Sequence, residues 1–340
     1  MTTAHRGILL PSLLPLLAVV CGSSIADTPW GVVLVLIEPL VLITGLYLLV
    51  LATLRRDPLW AGLLCATLLA WGYTMHRPSA DPIALEESPE WMRPLRGCAL
   101  LSKPSAGPIR LVSWTVRGDQ GVGQGVDSII DLRPDIVIVS GTDNAKVGLK
   151  LQEALSGEVK RVPGGEGMVA AVRGTFQYCG GDTDEWHFEL TRPPTTSASA
   201  MMSFPHVNDL GVVPLMVARM DAVEHPADWL RWSQGVVQAS RQSAAAAQAL
   251  GTRKMVLMTS MNAPASALAV ARPFQSAGLQ VARVDPNWPQ EVGPLPMWPQ
   301  HNADPIWVGS EWHVQSARVL KVEGQPHGPV ALDLVSRTSR

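Results

Sequence analysis

Ile109 to Thr142, IRLVSWTVRGDQGVGQGVDSIIDLRPDIVIVSGT, is the stretch on which the fold turns. Arg110 to Val116 and Asp135 to Ser140 are short, nearly continuous apolar runs, the pattern of strands buried on both faces. Between them Val126 to Leu132 spaces its apolar residues as one face of a helix. Strand, helix and strand within about thirty residues predict a parallel pair with a crossover helix. The glycines of GDQGVGQG (Gly118 to Gly125) and GGEG (Gly164 to Gly167) read as loops. They lack the Lys-Ser/Thr that a phosphate-binding loop needs.

Carboxyl-terminal to this stretch the same alternation continues. Helices are expected at Asn144 to Leu155, at Ala227 to Leu250 with a polar, Ala-rich outer face, and at Ser266 to Gly278. Strands are expected at Gly167 to Val172, Trp186 to Thr191, Gly211 to Met220, Lys254 to Met261, Leu279 to Val284, Ile306 to Gly309, Val314 to Val322 and Val330 to Val335. Intermixed strands and helices predict a layered α/β sandwich over residues 109–340. No internal repeat is visible.

Amino-terminal to it the composition changes. The first 75 residues carry only Arg6, Asp27, Glu38, Arg55, Arg56 and Asp57 as charges. Gly7 to Ala26, Trp30 to Leu54 and Leu59 to Met75 each have the length and apolar character of a transmembrane helix, so residues 1–75 are expected to form three spans. Arg6, Arg55 and Arg56 lie on one side of that arrangement, which puts the amino terminus in the cytoplasm and everything after Met75 outside, in the periplasm of a Gram-negative cell. The chain is thus expected in a bacterial inner membrane. Glu38, before Pro39 in the second span, has no basic partner in the other spans and marks a candidate contact with another membrane subunit. Residues 76–108 hold six prolines and the acids Asp81, Glu86, Glu87 and Glu90, which makes them an extended extracytoplasmic linker. Cys98 and Cys179 both fall in the oxidising compartment, where a disulfide between them is permitted.

The net charge is −2, and the globular part alone carries the same balance, so there is no electrostatic pull toward a nucleic-acid backbone. His and Cys residues show no zinc spacing. No Gly-x-Ser-x-Gly elbow occurs. Twelve Trp against three Tyr and four Phe is unusual, and Trp288, Trp298, Trp307 and Trp312 fall in or near Pro-rich stretches. Trp in irregular loops anchors interfaces, which makes Trp288 and Trp298 candidate partner contacts.

The order and spacing of LVSWTVRG, DIVIVSGT, GMVAAVRG, VLMTSMNAP, DPIWVGS and QPHGPVALDL resemble the endonuclease/exonuclease/phosphatase superfamily over residues 109 to 338. Bacterial members with a few membrane spans before such a domain are similar to the whole chain. The resemblance implies a four-layer α/β sandwich, two sheets between helices. It also implies metal-assisted phosphoester cleavage, which needs a carboxylate for a divalent ion, an acid/base His with an Asp partner, a water-orienting Asp and a phosphate-holding Asn.

Most of those positions are changed here. Thr115 stands where the first motif has Asn, and Ser140 and Gly141 replace a Gln-Glu pair whose Glu binds the metal. Met220 or Asp221 takes the place of a His. The Gly-Asp-x-Asn motif becomes Thr259, Ser260, Met261, Asn262, and Ser-Asp-His becomes Gln325, Pro326, His327. Asn262, Asp304 and His327 are kept; Thr115, Gly141, Ser260 and Pro326 mark losses. With Pro326 in place of Asp, His327 is expected to lack its orienting partner and to be a packed turn residue. Asp304 before Pro305 and Asn262 after its strand read as turn residues too. No metal or cofactor is expected. The chain reads as a non-catalytic, membrane-anchored accessory subunit whose partners are the bilayer and other integral membrane proteins, not nucleic acid. The alternative is a metal-dependent phosphodiesterase or phosphatase with rearranged ligands.

Overall fold

The computed structural model describes parts of 45–54 and 61–69, and residues 108–141, 145–162, 167–176, 185–189, 198–207, 211–220, 228–261, 263, 265, 267–285, 287 and 303–337. Most of the expected spans, together with Glu38, Cys98, Cys179, Asn262, Trp288 and Trp298, lie outside these residues. No helix among the described residues is long and apolar enough to cross a membrane.

In chain order the elements are β1 (Ile109–Thr115), α1 (Val122–Asp131), β2 (Ile136–Ser140), α2 (Ala145–Leu155), β3 (Glu158–Val162), β4 (Met168–Val172), β5 (Gly174–Phe176), β6 (Glu185–Glu189), β7 (Ala198–Ser203) and β8 (Pro205–Val207). Then follow β9 (Gly211–Val212), β10 (Leu215–Met220), α3 (Asp228–Leu250), β11 (Val256–Ser260), α4 (Leu268–Ser276), β12 (Leu279–Val281), β13 (Ile306–Gly309), β14 (Trp312–Val319) and β15 (Val330–Ser336). One six-stranded sheet has the order β14-β15-β1-β2-β4-β3, and a second has β12-β13-β11-β10-β7-β6. A small third sheet is β5-β8-β9. The expected parallel pair is present, with Leu111 to Thr115 in register with Ile136 to Ser140. In the second sheet β10 and β11 are parallel as well.

Alternation along the strands builds two cores. Ile109, Leu111, Ile136 and Ile138 of the first sheet share one buried cluster with Leu215, Val217, Val256, Met258 and Ile306 of the second. The opposite face of the first sheet, Val112, Trp114, Val137 and Val139, packs on Val122, Val126 and Ile129 of α1 and on Val147 and Leu151 of α2. On the second sheet α3 lies over β10 and β7, where the Ser243 hydroxyl points at Met216 Sδ, 3.0 Å away. The result is an α/β sandwich with helices outside and sheets inside.

Several local readings change. Half of the glycine-rich loop is helix, because α1 starts at Val122, and Gly125 lies directly on the indole of Trp114. A Cβ there would come within 2.2 Å of Trp114 Cη2, so a glycine is what lets this helix approach the sheet. Helix α1 stops where Arg133 takes a positive φ of 51° before Pro134, whose ring disfavours a helical predecessor. Pro214 divides the expected strand Gly211 to Met220 into β9 and β10. The Ala-rich part of α3 is covered rather than exposed, with Ala244, Ala245, Ala246 and Ala249 all buried. Trp307 and Trp312 are core residues; Trp307 stacks at 4.8 Å on Phe274.

The amino-terminal unit is described by itself. Leu64 is buried against Leu49 and Ala61, which joins two helical stretches. Leu46, Val50 and Leu54, spaced by four, are exposed on one helix face. Thr53 donates its hydroxyl back to Leu49 O at 2.7 Å, so that this polar group is satisfied within its own helix.

At the starting end of β1 a charged cluster ties the first sheet together. Arg110 and Asp333 are register partners, and the guanidinium donates to both carboxylate oxygens, at 2.6 and 3.1 Å. Ser316 donates to the same carboxylate at 2.6 Å. The hydrogen bonds from Arg110, and secondarily from Ser316, hold the Asp333 carboxyl below its usual range despite partial burial, while Asp333 pushes Arg110 up. Asp135 accepts from the Arg110 backbone N–H at 2.8 Å, yet burial outweighs that bond and raises its pKa.

Candidate functional site

The finishing ends of the parallel strands β1, β2, β10 and β11 meet at one place. Because side chains alternate, Thr115, Ser140 and Ser260 point into the space between the sheets, as Leu111, Ile138 and Met258 do lower down. The Thr115 hydroxyl donates to Ser260 Oγ at 3.1 Å and lies 3.3 Å from Ser140 Oγ. Ser140 also reaches Trp114 O at 3.4 Å. All three hydroxyls are buried. Positions that would hold amides and carboxylates in the resembled superfamily thus hold small neutral groups bonded to one another.

Gly141 follows with φ 84°, its N–H bonded to Gly167 O at 3.0 Å. A Cβ built on it would lie 2.3 Å from Val116 O. Backbone conformation and backbone proximity both exclude a larger residue here without a shift of the chain.

The β11–β13 ladder ends at Met258 and Ile306. Thr259 then donates its hydroxyl to Pro305 O at 2.5 Å, which carries the contact one residue beyond the ladder, next to Asp304. Asp304 Oδ2 lies 2.6 Å from Nδ1 of His327, with both side chains at least nine-tenths buried. His327 therefore does have an orienting carboxylate, contrary to the expectation from Pro326: the partner comes from the loop before β13, 23 residues earlier in the chain. The pair fixes which ring nitrogen faces the acid. Asp304 Oδ1 is buried without a hydrogen-bond partner.

Three supporting residues escaped the sequence. Gln325 accepts from Arg117 N at 2.9 Å and donates to Arg117 O and Gln120 O, pinning the loop after β1 to the approach to β15. Trp114 Nε1 donates to His327 O at 2.9 Å. Arg219 is the third. It is the register neighbour of Ser260 on β10 and is buried. Its signal was present in the alternation Leu215, Val217, Arg219, which assigns a charged residue to the inward face.

The structure thus brings together Thr115, Gly141, Ser260, Asp304, Pro326 and His327, and leaves Asn262 outside the described residues. A divalent ion prefers six or more oxygens, several of them charged. Asp304 is the one carboxylate of this group, and one of its oxygens is engaged with His327. Among the described residues no three His, Cys, Asp or Glu side chains are grouped to hold a metal. The residues present do not fit the ion that the resemblance implies.

No family model matches the chain, and no curated protein does. Among solved structures, D. rerio TDP2 complexed with single strand DNA product is similar at TM-score 0.50 and 11% identity, over 67% of this chain and 99% of that one. An endonuclease/exonuclease/phosphatase family protein from Bacteroides thetaiotaomicron is similar at TM-score 0.49 and 16% identity, over 69% and 99%. The human Nocturnin catalytic domain with bound sulfate anion is similar at TM-score 0.49 and 16% identity, over 67% and 94%. At such identities the likeness is one of fold alone.

Proposed function

We propose that this chain is a non-catalytic, membrane-anchored accessory subunit, and that its degenerate phosphoesterase-like domain serves as a docking module on the periplasmic face of a larger inner-membrane assembly. The observation that carries this reading is the path of Gly141, which leaves no room for an acidic ligand at the position where the resembled superfamily binds its metal. The mutual bonding of Thr115, Ser140 and Ser260 supports it. The exposed stripe Leu46, Val50, Leu54 supports the anchoring, since an apolar face of that kind suits lipid or another membrane helix. Glu38, Trp288 and Trp298 are the candidate contacts with partner subunits. Extraction from native membranes in mild detergent is expected to bring the chain out with other proteins in fixed ratio. Recovery as a monodisperse monomer would overturn the proposal.

One observation favours a second reading. The buried Asp304–His327 pair is the arrangement a general acid/base requires. A phosphodiesterase with rearranged ligands would turn over a generic phosphoester with Mg²⁺ or Mn²⁺, and His327→Ala would abolish that turnover while the variant still folds. Absence of turnover with either ion ends this reading.

A further inference from the structure

We propose that the cluster at the strand ends is an inter-sheet clasp, which closes this end of the sandwich with the protein's own polar groups and no divalent ion. Three contacts cross between the sheets here. Thr115 of the first sheet donates to Ser260 of the second at 3.1 Å. His327, on the approach to β15, pairs at 2.6 Å with Asp304, on the approach to β13. Beside them Gly328 N–H donates to Asn287 O at 2.9 Å, joining the approach to β15 to the segment after β12. Asn287 in turn accepts from Ala303 N through its side chain at 2.9 Å, which holds the segment before Asp304 in place.

The electrostatics decide between a clasp and an ion site. Carboxylates facing one another across two sheets repel unless a cation lies between them, so an acidic strand end depends on its metal. Here Gly141, Ser260 and Pro326 bring no carboxylate, Asp304 is paired with His327, and the guanidinium-bearing Arg219 is the register neighbour of Ser260. Nothing at this end then needs a cation to stay closed. Buried hydroxyls that satisfy one another hold the same gap by ordinary hydrogen bonds.

The clasp does not depend on the docking reading: co-purification could fail while the clasp stands. The test uses the full chain in detergent, with Mn²⁺ or Mg²⁺ alone as probe and thermal unfolding as readout. An ion site filled at a hundred times its Kd would raise Tm by roughly 5–10 °C. The clasp predicts no shift with either ion and none with EDTA. Thr115→Val is expected to lower Tm by about 3 °C, the effect of one buried hydrogen bond in a domain of this size. Thr115→Ser, which keeps the hydroxyl, is expected to recover it. Combined with Ser260→Ala, Thr115→Val should cost less than the two separate losses together, because both remove the same bond. A rise in Tm with Mn²⁺, or a Thr115→Val variant as stable as the parent, would overturn the proposal.

Discussion

The two ends of strand β1 carry opposite chemistry. At its start Arg110, Asp333 and Asp135 form a charged cluster with bidentate and backbone contacts. At its finish Thr115 meets two serines and a glycine, and Asp304 lies 2.6 Å from His327. In this fold class the finishing end of the parallel strands is where ligands and chemistry gather. Here the carboxylates gather at the starting end, where they tie strands together, while the finishing end holds hydroxyls, a glycine, Arg219 and the Asp304–His327 pair. The contrast teaches that one strand can carry charge at the end where it ties the sheet together and small neutral groups at the other, with the difference lying in a few side chains.

Placing an acid at Gly141 is the strongest way to challenge that contrast. Gly141→Glu forces a side chain onto a positive φ and against Val116 O, and should cost on the order of 3 kcal/mol in chemical denaturation. No metal-dependent hydrolysis should appear. A Gly141→Glu variant of parental stability that gained Mg²⁺-dependent turnover would break the comparison. The charged end is expected to respond less strongly. Asp333→Asn removes a charge-assisted, partly buried pair and should cost about 2 kcal/mol at neutral pH.

The pH dependence sharpens this further. Asp333 has a lowered pKa in the folded protein, so its contribution is present above the ordinary carboxylate pKa of about 4 and is lost as pH falls through the lowered value. Asp135 has the opposite sign. Its folded pKa is raised, so stability declines as pH rises from about 4 through that raised value. Asp333→Asn should therefore flatten the acid-side loss of stability, whereas Asp135→Asn should remove the loss of opposite sign at higher pH. Identical pH profiles for the two variants would show that the cluster does not work as described.

Much of the framework was legible in the residues. β1, β2, β4, α2, β11, β13 and β15 lie where apolar runs and helical spacing placed them, because each buries side chains on both faces of a sheet or along one helix stripe. β3, β5, β7 and β8 were not foreseen. β3 reads EVKRV and β7 reads ASAMMS, and such short mixed segments take their strand form from neighbours already in the sheet. At the site, single positions such as Gly141 and Ser260 could be judged from motifs. The Asp304–His327 pair could not, since it joins two loops from different sheets, and local sequence around Pro305 and Pro326 looks like turn chemistry. Gln325 was hidden for a similar reason: its role depends on which loop lies opposite.

Gly141 also bears on how this domain could change from here. A residue that can be replaced without disturbing the chain leaves its former state one substitution away. A backbone that has turned into left-handed space and closed on Val116 O does not. Any side chain introduced there requires the loop to shift first, so a substitution at this turn would fold less well than the present protein. Variation is therefore expected on the surface of the sandwich rather than at this turn.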